Sequence, residues 1–244
     1  MNKAVIVTGG SRGIGAATAL LAAKEGYDVC IGFAAQEEKA QTVVRQIRDL
    51  GQKALAVQCD VSSEADVMRL FAAADAELGP ISALVNNAGI SGTAGVVEQC
   101  TAESLNRLFQ VNVVGTILCA REAVKRMSTK HGGHGGRIVN ISSIASRLGA
   151  ARFAVAYAAS KGAIDSFTLG LAREVADQGI RVNAVSPGMI ATDMQPADRM
   201  KEAAKLIPMG RLGEAAEVAA TVIWLLSDST GYVTAANIVV SGGR

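Results

Sequence analysis

The chain has 244 residues, 50% of them hydrophobic, and a formal net charge of +2 from 24 Lys/Arg and 22 Asp/Glu scattered along it. That length and apolar content suit one large core in a single domain spanning residues 1–244. The mixed charge offers no basic stripe for nucleic acid, and no apolar run approaches the ~18 residues that a membrane helix needs.

Short β-rich runs alternate with helical periodicity. Strands are expected at Ala4–Thr8, Asp28–Phe33, Ala54–Gln58, Ala83–Asn86, Arg137–Ile141, Arg181–Val185 and Asn237–Val240. Helices are expected at Ala16–Glu25, Glu37–Leu50, Glu64–Glu77, Glu103–Met127 and Tyr157–Gln178. Repeated strand–helix–strand order predicts an α/β fold with a parallel sheet covered on both faces, and the near-continuous apolar strands agree. A first strand at Ala4 leaves no room for a signal peptide. Cys30, Cys59, Cys100 and Cys119 are far apart and read as reduced thiols of a cytoplasmic protein. His131 and His134 lie among glycines with no carboxylate or thiol beside them, so a solvated loop is expected rather than a metal site.

The first strand runs into Gly9-Gly10-Ser11-Arg12-Gly13-Ile14-Gly15, and a helix follows. Glycines at such a turn let a pyrophosphate approach the backbone, where the helix N-terminus supplies N–H groups and partial positive charge. An acid at the end of the second strand would select NAD by bonding the ribose 2′-OH, but this strand ends Gly32-Phe33-Ala34-Ala35-Gln36. Glu37 and Glu38 follow it and suit the start of the next helix. Arg12 can meet a 2′-phosphate, so NADP is favoured over NAD.

Further along, Tyr157 and Lys161 stand four residues apart, on one face of a helix. An ammonium beside a phenol favours the phenolate, which would draw the phenol pKa from about 10 toward neutrality and suit it to proton transfer in carbonyl/alcohol chemistry. The segment from Pro187 to Pro208 has three of the four prolines and no long helix, and reads as a flap of about 188–212 over a pocket.

These motifs, in order, resemble the classical short-chain dehydrogenase/reductase family over essentially the whole chain. Thr8–Gly15 resembles its Thr-Gly-x-x-x-Gly-x-Gly, Asn86-Asn87-Ala88-Gly89 its Asn-Asn-Ala-Gly, Tyr157-x-x-x-Lys161 its catalytic pair, and Pro187-Gly188 its dipeptide after the sixth strand. The resemblance implies a Rossmann-type doubly wound fold of about seven parallel strands. It implies NADP-dependent hydride transfer with a small-molecule carbonyl or secondary alcohol, and assembly as a homotetramer. It places Gly9, Ser11, Arg12, Gly13, Ile14, Gly15, Asp60, Val61, Asn87, Ala88, Gly89, Pro187, Gly188, Ile190 and Thr192 around the cofactor. In that pattern the Asp60 carboxylate would bond the adenine, and Ile190 and Thr192 would meet the carboxamide. Lys161 would hold the nicotinamide ribose.

Tyr157 would be the acid/base, Ser143 would orient the substrate oxygen, and Asn112 would join a water-linked proton relay to Lys161. Ser143 is fourteen residues before Tyr157, one more than the family usually shows, which puts an extra residue in the loop Ser146–Val155. Ser142 would then be a structural neighbour. The closest groups are the 3-oxoacyl-carrier-protein reductases and the sugar or small-alcohol dehydrogenases. For the former, Lys125, Arg126 and Lys130 are candidates to meet an acidic carrier protein; a solvated helix face is the other reading. Ala163, Phe167 and Leu171 suit a helix-pairing interface, and the tail Ile238–Arg244 a second one. A catalytically silent dinucleotide-binding regulator is the alternative function.

Overall fold

The computed structural model describes residues 3–191 and 204–244. Seven strands form one parallel sheet: β1 (Lys3–Thr8), β2 (Tyr27–Phe33), β3 (Ala54–Gln58), β4 (Ala83–Asn86), β5 (Gly136–Ile141), β6 (Ile180–Pro187) and β7 (Asn237–Val240), in the order β3-β2-β1-β4-β5-β6-β7. Successive residues point to opposite faces, so Val5 and Val7 enter one apolar cluster while Ala4 and Ile6 enter the other. Helices α1 (Gly13–Lys24) and α2 (Glu37–Asp49) cover the first face. Helices α3 (Glu64–Leu78), α5 (Gly115–Met127) and α7 (Val155–Val175) cover the second. Two short helices, α4 (Ala102–Phe109) and α6 (Ala145–Leu148), lie in the connections, and α8 (Ala215–Leu226) returns to pack on α1. Each fully buried Val, Ile or Leu contributes about 1.5–3 kcal/mol.

The expected helix Glu103–Met127 is not continuous. Gln110–Val114 forms a π turn between α4 and α5. Its Asn112 amide grips the Ile90 backbone from both sides, donating to the carbonyl at 2.9 Å and accepting from the N–H at 2.8 Å. That pairing satisfies a polar group in an apolar setting and draws the helix out of its regular ladder. Gly115 follows, and a Cβ there would come within 2.8 Å of the Val61 carbonyl oxygen, so the missing side chain lets α5 lie against the end of β3's connection.

Cys30, Cys59 and Cys119 are buried and Cys100 half-buried, all as free thiols. Burial pushes the Cys59 thiol up to about 12 and those of Cys30 and Cys119 higher still, which suppresses thiolate chemistry. His131 and His134 are exposed beside the left-handed Gly132. Among the described residues, no helix is long and apolar enough to cross a membrane.

Candidate active site

Strand order reverses between β1 and β4, and the crevice at their carboxyl ends collects the candidate residues. The glycine loop leaves β1 there and Asn87–Gly89 leaves β4. Thr8 joins them: its hydroxyl accepts from the N–H groups of Asn87 and Ala88 at 3.0 and 3.1 Å. The Asn87 amide donates to the carbonyls of Thr8 and Gly9 at 2.9 and 3.0 Å. Gly9 has φ +64°, and a Cβ on Gly15 would stand 2.3 Å from the Gly9 carbonyl oxygen, so both glycines are required for α1 to close on the loop.

The N-terminus of α1 fits a dinucleotide phosphate. Arg12 caps it without a side-chain bond, and no acid lies in the first turn. Ser11 and Ile14 are partly buried in the same loop, beside the left-handed Gly13. At the neighbouring strand end, Phe33 is followed by Ala34 and Ala35, so no carboxylate stands where a ribose 2′-substituent would lie. Arg12 is exposed and forms no ion pair among the described residues. Asp60, expected at the adenine, has partners within the chain: Oδ2 pairs with Arg107 at 2.9 Å and Oδ1 accepts from Ser62. Burial opposes its charge, but these bonds outweigh burial and hold the carboxyl below its ordinary range. Val61 next to it is buried.

Across the crevice, Ser143 ends the β5 corner and Tyr157 begins α7. The Ser143 side chain acts on the Tyr157 phenol and favours its charged form. Ser142 faces the other way. It is buried, its hydroxyl directed to Asp165 Oδ1 at 2.5 Å with the Lys161 carbonyl at 3.2 Å. The connection in which the extra residue is expected holds α6 and two non-glycine residues of positive φ, Ala150 (45°) and Arg152 (63°). Gly95 bridges to Ala154 and ties the loop after β4 to this one.

Lys161 is 5% exposed and donates from Nζ to the Ile141 carbonyl at 2.8 Å, with Nζ 5.8 Å from the Tyr157 ring centroid. Burial lowers its pKa from 10.5 to about 8, against the pull of Asp165. Tyr157 overturns the expectation of a lowered phenol: burial raises its pKa, and the Ser143 bond only partly opposes that. The reason is that the ammonium is turned to a carbonyl while the phenol is itself largely desolvated. Asn112 completes its bonding by donating to Ser160 Oγ at 3.0 Å. A Cβ on Gly89 would lie 3.2 Å from Asn112 Oδ1 and 3.6 Å from Lys161 Nζ, so Gly89 keeps the space between them open.

At the end of β6, a Cβ on Gly188 would meet Ser241 at 2.8 Å, so the glycine after Pro187 admits the C-terminal tail. Ile190 bridges to Gly213, which closes the base of the segment expected as a flap. Thr192 lies outside the described residues, as do Met194 and Met200.

A family model described as enoyl-(acyl carrier protein) reductase matches residues 9–244. The chain is 52% identical over 243 residues to the uncharacterized oxidoreductase YgfF of Escherichia coli (strain K12), covering 98% of each. The chain is a short-chain dehydrogenase/reductase. It is 36% identical to the 3-oxoacyl-[acyl-carrier-protein] reductase FabG of Staphylococcus aureus (strain Mu50), covering 100% of this chain and 98% of that one. A short-chain dehydrogenase from Burkholderia cenocepacia J2315, solved in complex with NADP, superposes with a TM-score of 0.92 at 35% identity, covering 99% and 97% of the two chains. This short-chain dehydrogenase/reductase is thus an oxidoreductase that uses a nicotinamide cofactor on CH–OH/C=O groups of small molecules.

Sequence reasoning missed Asp165 and Ser160. Both carried a signal, since Asp165 is one helical turn beyond Lys161 and Ser160 is three residues beyond Tyr157.

Buried Lys161 has a thermodynamic consequence. Between pH 8 and 10.5 the unfolded chain holds a proton on this lysine that the folded chain has lost, so raising pH through that window favours folding. Relative to Lys161→Met, the wild type is expected to gain up to roughly 3 kcal/mol from pH 8 to 10.5, read as urea midpoints. A difference that does not change with pH contradicts the burial of a titrating ammonium.

Proposed function

We propose that this enzyme is an NADPH-preferring reductase of carbonyl compounds with an apolar body, with Tyr157 as the proton donor. The observation that carries this is the convergence of Tyr157, Ser143 and buried Lys161 beside the β1/β4 crevice. Bound NADPH supplies the hydride. Tyr157 gives its proton to the substrate oxygen, and a phenol held above its ordinary pKa stays protonated at neutral pH, which suits reduction. Ser143 donates a hydrogen bond to the same oxygen and polarises it. Lys161 stabilises the tyrosinate left behind and reaches the nicotinamide ribose. Asn112 and Lys161 flank the space at Gly89, where a water would return the proton.

Around the crevice, Gly9, Gly13, Gly15 and the N–H groups of the loop hold the pyrophosphate. Arg12 would meet the 2′-phosphate, Asn87–Gly89 would underlie the adenosine ribose, and Val61 with Asp60, whose carboxylate is bonded to Arg107 and Ser62, would border the adenine. Pro187, Gly188 and Ile190 would border the nicotinamide.

The substrate class follows from the rim. Ile90, Val97, Leu148, Phe153, Leu206 and Met209 are all exposed, and each lies on a connection that leaves the carboxyl edge of the sheet. Such a rim accepts an acyl-like ketone better than a polyhydroxylated sugar. Lys125 and Arg126 pair with Glu122 and Asp75, and Lys130 with Asp177, at the amino edge of the sheet, so these cations give this chain's own rim no basic dock.

A panel of ketones, 3-oxoacyl thioesters and sugars, followed by nicotinamide absorbance, tests the reading. Apolar ketones or thioesters should turn over and sugars should not. NADPH should bind more tightly than NADH by about 1–3 kcal/mol, an advantage lost in Arg12→Ala. Sugar oxidation with NAD, or an NADH preference that survives Arg12→Ala, would sink it.

The same reading includes a homotetramer in the cytoplasm. Phe167 and Leu171, expected at an interface, are partly buried against the chain's own core. On the helices expected to pair, Leu169 on α7, Ile117 on α5 and Phe109 at the end of α4 are exposed. Light scattering should give a tetramer that Leu169→Glu weakens; a monomeric wild type at micromolar concentration contradicts it.

A further inference from the structure

Asp165 stands one turn beyond Lys161 on α7, and its Oδ1 accepts two hydrogen bonds. One comes from Ser142 Oγ at 2.5 Å and the other from Asn237 Nδ2 at 2.8 Å. Asn237 is held in turn, its Oδ1 accepting from Ser186 Oγ at 2.7 Å. Ser186 is on β6, Asn237 on β7, Asp165 on α7 and Ser142 at the corner after β5, so one polar chain crosses four elements beneath the site. Its last member directly precedes Ser143.

We infer that Asp165 is a positioning residue of the reaction, fixing the Ser142–Ser143 corner and serving as counter-ion to the buried Lys161 ammonium. The inference rests on the proposed roles of Ser143, Tyr157 and Lys161. The groups that face Lys161 from the surrounding elements leave the task to this carboxylate. The Ile141 carbonyl of β5 and Asn112 of the π turn are uncharged, and Tyr157 on α7 carries its proton at neutral pH. Asp165, one helical turn along α7, is the carboxylate nearest to Lys161 in the chain, and its charge opposes the loss of the Lys161 proton. A buried ammonium without a counter-charge loses its proton more readily. A corner without its anchor lets the Ser143 hydroxyl drift from the substrate oxygen, and small displacements of that kind are costly in rate.

The charge and the anchor can be separated. Because Oδ1 takes both hydrogen bonds, Asp165→Asn keeps the acceptor and removes the charge. Ser142→Ala removes the anchor and keeps the charge. The experiment measures kcat/KM against pH with NADPH and the carbonyl that the wild type turns over. Asp165→Asn should move the alkaline limb to lower pH by about half a unit to one unit. Ser142→Ala should lower kcat about tenfold with the alkaline limb in place. Asp165→Ser, lacking both, should show both effects. An Asp165→Asn profile that superposes on the wild type overturns the counter-ion role, and a Ser142→Ala kcat equal to wild type overturns the anchor. Failure of both Asp165 variants to fold makes the residue architectural and also overturns the inference. A Tyr157→Phe control tells the two readings apart: if it abolishes turnover while Asp165→Asn changes nothing, only the present inference fails.

Discussion

Everything in this molecule is arranged around the reversal of strand order between β1 and β4. Connections from those two strands diverge to opposite faces, and the crevice they leave cannot be filled by either. Thr8 and Asn87 hold its two lips together through four hydrogen bonds to backbone groups. The absent side chains at Gly9 and Gly15 then let α1 close within touching distance. The phosphate end of the site is therefore set by backbone geometry, which a sheet buried on both faces makes rigid.

The chemical end is set by desolvation. Lys161 and Tyr157 lie where water is scarce, and burial works on them in opposite directions: it lowers the ammonium and raises the phenol. Lys161 donates its hydrogen bond to a carbonyl and not to the phenol, while Ser143 acts on the phenol. The pair is thus held with the tyrosine protonated, the form that donates. The neighbouring serines divide the work by direction, Ser142 inward to Asp165 and Ser143 outward to Tyr157.

The sheet was legible because apolar runs and turns are local signals, and the observed strands begin and end within two residues of the expected ones. The glycine loop and the Tyr157/Lys161 pair were legible as patterns for the same reason, since each lies within a few residues of one turn or helix. What the sequence left open depends on contacts between distant segments. The π turn arises because Asn112 finds the Ile90 backbone across a loop. The direction of Ser142 depends on a carboxylate on another element. The raised phenol depends on burial, which spacing does not encode. Lys125, Arg126 and Lys130 looked available until α5 and its neighbours supplied their partners.

The central claim is that Tyr157 moves the proton. Tyr157→Phe keeps the ring and its packing and removes only the hydroxyl, so its turnover with NADPH measures that claim directly. Carbonyl reduction should fall by about 10²–10⁴-fold while NADPH affinity barely changes. Near-wild-type turnover by a folded Tyr157→Phe enzyme would contradict the account.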